Sequence, residues 1–157
     1  MEYAKLYAQI QQLRFSDRLT LYIDDLPEGT QNITVPKLIL QPLIENAYEH
    51  GINSLLKDAV IHVRFCLQED DTLEMIIEDN GDGITDERIA ELQALIDSSD
   101  QTGSADGVAL MNIQKRLQLF YGNGSRLVLG HSQLRGLQAK IVLKEVSAHV
   151  ARIDSGR

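Results

Sequence analysis

The stretch LILQPLIENAYEHGI, from Leu38 to Ile52, constrains this chain more than any other. Wound as a helix, it sets Leu40, Leu43, Ile44 and Ala47 at spacings of three and four, which makes one apolar face. Glu45, Asn46, Glu49 and His50 fall largely on the other side, with Asn46 and His50 one turn apart. Thr34 suits a cap, Pro36 the first turn and Gly51 the exit, whereas Pro42 predicts a kink or a late start. An ordinary amphipathic helix would account for all of this. Two later segments add to it: DNGDGI at Asp79 to Ile84, and DGVALMNIQKRL at Asp106 to Leu117.

Around these segments the periodicity alternates between two and three-to-four. Glu2 to Asp17 reads as a helix with a partial stripe of Leu6, Ile10 and Leu13. Arg18 to Leu26 alternates Leu19, Leu21 and Ile23 with polar neighbours, which predicts a half-buried strand. Ala59 to Gln68 and Thr72 to Glu78 read as a hairpin about the acidic turn Glu69-Asp70-Asp71, its second strand delivering Asp79 to an exposed end. Thr85 caps a helix to Ile96 through Ile89 and Leu92, and Asp86 and Glu87 favour its start. Asp97 to Asp106 lacks periodicity and reads as a mobile loop. A helix from Gly107 to Tyr121 follows, with Val108, Met111, Leu117 and Phe120 expected inward. Ser125 to Ser132 and Leu137 to Val146 form a closing hairpin around Arg135-Gly136. This order predicts an α+β fold, a two-layer sandwich with a mixed sheet covered on one face by helices.

A length of 157 residues suits one domain with a real core. The formal net charge of -8 argues against a nucleic-acid partner, because coating phosphates needs a basic surface. A polyanionic ligand would have to be held by local backbone donors, a metal and a few placed cations. Cys66 is the single cysteine, which excludes an internal disulfide and suits a buried small hydrophobe. No apolar run approaches the ~18 residues of a membrane span, so no direct membrane insertion of this chain is expected.

In order and spacing, the three segments resemble the N, G1 and G2 boxes of the GHKL (Bergerat) ATP-binding fold. The details are similar to the catalytic domain of LytS-type sensor histidine kinases, whose first box reads much like LQPLIENAYEHG and whose upstream segment resembles EYAKLYAQIQQLRFSDRL at Glu2 to Leu19. The resemblance implies three parts: residues 1–17 as the end of an upstream dimerisation helix, 18–146 as the ATP-binding domain, and 147–157 as a disordered tail. It implies ATP and Mg2+ as ligands, an upstream phosphoacceptor domain, a response regulator reached through the full-length kinase, and a homodimer at full length. The expected setting is the cytoplasmic part of a membrane-anchored bacterial sensor.

What the resemblance implies for single residues can be argued chemically. A carboxylate at Asp79 accepts a hydrogen bond from the exocyclic amino group of adenine, where guanine would present a carbonyl, acceptor to acceptor. Gly81 and Gly83 allow close backbone approach and turn conformations barred to residues with a Cβ. Taken alone, DNGDG could equally be a tight acidic turn or a weak calcium loop. Asn46 is expected to give its side-chain oxygen to Mg2+, a hard ion that keeps several waters. Glu45 would hold a metal-bound water or orient the reacting groups, and His50 would donate to a phosphate or serve as a packed structural histidine. Gly107, Val108, Ala109 and Leu110 offer backbone amides at a helix start, where orphan N–H groups and the dipole favour phosphate. Asn112 and Arg116 lie one turn apart on that helix, facing the phosphates or the loop, and the 98–106 loop resembles a short ATP lid.

Two positions depart from the family pattern. Ala109 replaces a usual glycine, and Glu49 stands where Lys or Arg is frequent. They leave open a module that binds nucleotide weakly and serves as a signalling or dimerisation surface. A GHKL hydrolase of the gyrase or mismatch-repair type places a glutamate base four residues before the metal-binding Asn. Here that residue is Pro42, which cannot activate water.

Overall fold

A computed structural model describes residues 19–30, 37–52, 58–98 and 103–145. The expected upstream helix, the Thr34 cap, Pro36, part of the 98–106 loop and the tail lie outside the described residues. Five strands form one sheet in the order β1-β2-β3-β5-β4: β1 Leu19–Ile23, β2 Ala59–Leu67, β3 Leu73–Asp79, β4 Arg126–His131 and β5 Leu137–Leu143. β1 runs parallel to β2, and every other pairing is antiparallel. The parallel pair needs a crossover, supplied by the segment holding helix α1 (Lys37–Asn46). Between β3 and β4 come α2 (Asp86–Asp97) and α3 (Ala105–Tyr121). The sheet is therefore mixed and the class α+β, as predicted.

Alternation decides which face is covered. Ala59, Ile61, Val63 and Phe65 of β2, Leu73, Met75 and Ile77 of β3, and Ala139, Ile141 and Leu143 of β5 are buried on one side. They join one core with Leu43 and Ile44 of α1, Leu92 and Ile96 of α2, and Leu110, Ile113 and Leu117 of α3. Phe120 does not point inward. It is 54% exposed and Leu119 85%, because the buried stripe of α3 passes from Leu117 to Tyr121, one full turn on. Thr85 and Ser104 cap α2 and α3 by accepting hydrogen bonds from the backbone N–H groups of Arg88 and Gly107.

β4 is an edge strand whose outward backbone groups are taken by two glutamines. Gln114 of α3 donates to the carbonyl of Ser125 (3.1 Å) and accepts from the Leu127 N–H (2.7 Å). Gln93 of α2 donates to the carbonyl of Leu127 (3.2 Å) and accepts from the Leu129 N–H (2.9 Å). The two side chains stand in for a missing neighbouring strand and tie the helical layer to the sheet edge.

The irregularity expected at Pro42 falls later in the helix. Pro42 is accommodated within α1, and from Ala47 to Ile52 the helix widens into a π turn that contains Gly51. Gly51 is thus inside the turn and not beyond the helix exit.

Candidate functional site

The widened turn brings Gly51 against the end of β3. A Cβ there would lie 2.6 Å from the Asp79 carboxyl carbon, so only glycine lets the helix end approach this closely. Gly136, in the β4–β5 turn, closes from the other side. Its N–H donates to the Asp79 carbonyl (3.1 Å), and a Cβ would collide with Asp79 Oδ1. Gly81 packs under the carbonyl of Gly51 with no room for a side chain.

Asp79 is consequently 1% exposed. Its Oδ1 accepts from the backbone N–H groups of Gly81 (2.9 Å) and Leu137 (3.3 Å). No described residue donates to Oδ2. Burial pushes the Asp79 carboxyl up from the usual aspartate value, and the two N–H donors only partly offset that. Asn80 locks the motif to β2: it accepts from the Val60 N–H (2.7 Å) and donates to the carbonyl of Asp58 (2.8 Å). Gly83 takes the turn that follows with φ 92°, in the region that favours glycine.

Asp79 lies in the wall of a cavity of about 250 Å³ between the π turn, the DNGDGI segment and the start of α3. Asn46, His50, Gly83 and Leu110 also line it, so three segments distant in sequence meet there. The other candidates sit elsewhere. Glu45 is exposed and accepts from Gln41 (3.0 Å), Gly81 is buried behind Asp79, and Gly107 is buried against Leu95. Val108, Ala109, Asn112 and Arg116 do not line the cavity, and Ala109 and Asn112 are exposed. Glu49 is likewise exposed and outside the lining. The extra methyl of Ala109 therefore does not narrow the cavity.

Among the lining residues that sequence reasoning missed are Gly136, Arg88 and Asp106. His50 Nε2 is 3.1 Å from Asp106 Oδ1, and Arg88 Nη2 is 3.7 Å from Asp106 Oδ2. A signal for Arg88 existed. It is a cation in the first turn of α2, where the helix dipole favours anions. Among the described residues no group of three or more His, Cys, Asp and Glu could hold a metal ion. Asn46, the residue expected to hold Mg2+, lines the cavity, and an amide oxygen suits a hard cation delivered with a ligand's phosphates.

A mixed sheet under one helical layer, with a small cavity beside a buried carboxylate packed by three glycines, has the form of a nucleotide-binding α/β sandwich. The chain belongs to the histidine kinase-, DNA gyrase B- and HSP90-like ATPase family, whose profile matches residues 31–149. It is 33% identical over 129 residues to an uncharacterized sensor-like histidine kinase of Staphylococcus epidermidis, covering 81% of this chain and 24% of that protein. It is 30% identical over 128 residues to the sensor protein LytS of Staphylococcus haemolyticus, with 81% and 21% covered. The chain thus spans about a quarter of the length of these relatives. Among solved structures, the ATP binding domain of PrrB from Mycobacterium tuberculosis superposes with a TM-score of 0.53 at 22% identity, covering 87% of this chain and 85% of that one.

Proposed function

We propose that this chain is the ATP-binding catalytic domain of a sensor histidine kinase. It binds Mg-ATP and presents the γ-phosphoryl group to a histidine on an upstream domain. The observation that carries the reading is the orientation of Asp79. Both backbone donors engage Oδ1, which leaves Oδ2 as the acceptor for the adenine amino group in the cavity that Asp79 lines. Asn46, which also lines the cavity, would give its side-chain oxygen to Mg2+. When bound, Mg2+ neutralises charge on the phosphates. The acceptor nitrogen attacks the γ-phosphorus, the bond to the bridging oxygen breaks, and ADP leaves. Little covalent work falls to the protein, so its contribution is positioning and charge.

In LytS-like kinases the acceptor histidine lies upstream, in a Pro-His-Phe context. None of the four histidines here has it: His50 is in the π turn, His62 and His131 are in strands, and His149 lies outside the described residues. The test is labelling with γ-labelled ATP. The isolated chain should remain unlabelled, and a longer form with its upstream helices should gain an acid-labile, base-stable phosphate. Acid-labile labelling of the isolated chain, lost on His50→Gln with ATP binding intact, would overturn this division of labour.

A further inference from the structure

We infer that Asp106 is an internal competitor for the cations of the cavity and thereby sets how strongly the site responds to the charge of a nucleotide's phosphate tail. The inference rests on the nucleotide reading above. Three lining side chains are acidic, Asp79, Asp82 and Asp106, and Arg88 is the one arginine or lysine among the described lining residues. Cations are thus scarce in this site, and both basic side chains converge on one carboxylate. Asp106 Oδ1 faces His50 Nε2 at 3.1 Å, and Oδ2 faces Arg88 Nη2 at 3.7 Å. The same Nη2 donates to Ser104 Oγ (3.3 Å), the hydroxyl that caps α3. Arg88 Nη1 donates to Glu91 (2.8 Å).

Asp106 thus holds the position a phosphate oxygen would take, between an arginine, a histidine and the N-terminus of a long helix. All three side chains are a third or more exposed, so these pairs are screened and weak. A polyphosphate with several oxygens can take Arg88 from Asp106 by forked hydrogen bonds, whereas a ligand without phosphate cannot. Asp106 therefore weakens nucleotide binding only in proportion to what Arg88 and His50 can offer.

A double-mutant cycle with Asp106→Asn and Arg88→Gln, read as affinity for Mg-ATP and for adenosine, tests this. Asp106→Asn should tighten Mg-ATP about two- to fivefold, the scale of an exposed ion pair, and leave adenosine unchanged. In the Arg88→Gln background that gain should shrink, and with His50→Gln added it should largely vanish. A gain of equal size without Arg88 and His50 would mean simple repulsion between Asp106 and phosphate, and would overturn the inference. So would unchanged or weaker Mg-ATP binding by Asp106→Asn. Wild-type protein that binds neither ligand would overturn the nucleotide reading itself, a distinguishable result.

Discussion

Glu78 and Asp79 are consecutive residues of β3 whose carboxylates leave opposite faces of the sheet and titrate in opposite directions. Glu78 is 2% exposed, yet its carboxyl is held below the usual glutamate value. Burial alone would raise it. Hydrogen bonds from the Gln138 side chain, the Gln133 N–H and Arg64, with the charge of Arg64, outweigh that. Asp79, with two backbone donors and no cation, is left raised. The first carboxylate fastens the turn before β5, and the second lies in the cavity which that turn helps to wall.

These opposite shifts predict opposite pH effects on stability. Glu78 contributes stability fully above the ordinary glutamate range, and it is lost as pH falls through the lowered value. Asp79 keeps its proton to higher pH when folded, so stability falls as pH rises from the ordinary aspartate value through the raised one. Urea unfolding across this range should show Asp79→Asn removing that decline. Glu78→Gln should cost about 1–3 kcal/mol at neutral pH. A pH profile unchanged by Asp79→Asn would contradict the assignment.

Gly136→Ala should weaken the site from a distance in sequence. The added Cβ meets Asp79 Oδ1 and the Gly81 N–H, so the turn must shift, at a cost of about 1–3 kcal/mol. Thermal unfolding and ATP titration should both move. Unchanged values in both would mean that the turn does not press on Asp79.

Gln114→Met tests the edge closure. It preserves volume but leaves the Leu127 N–H and the Ser125 carbonyl without their buried partner, costing about 1–3 kcal/mol for each group left unsatisfied. Equal stability of the variant, by urea unfolding, would show that water replaces the glutamine.

Much of the architecture was legible because it is local. Two-residue alternation marks β1, and the acidic turn between two apolar runs marks the hairpin of β2 and β3. Asp79 stood out because glycines follow it at Gly81 and Gly83. The rest depends on contacts between distant residues. Gly136 has a sufficient local explanation as a hairpin turn, so its approach to Asp79, 57 positions earlier, leaves no trace in the sequence. Gln93 and Gln114 are polar positions on helices, and nothing local says that an edge strand needs partners there. Nothing local marks the π turn, because Pro42 is by itself a sufficient cause for an irregular helix, whereas the widening begins only at Ala47.

The central claim is an adenine-selective site built on Asp79, and calorimetric titration of wild type and Asp79→Asn with ATP or GTP, with and without Mg2+, tests it most directly. Asparagine can keep Oδ1 toward the two backbone donors while turning an N–H toward the cavity, which reverses the polarity read by the base. Wild type should bind ATP in a magnesium-dependent manner and bind GTP far more weakly, and Asp79→Asn should lose about 1–3 kcal/mol for ATP while remaining folded. Equal ATP affinity in the two proteins, or equal affinity of wild type for ATP and GTP, would contradict it.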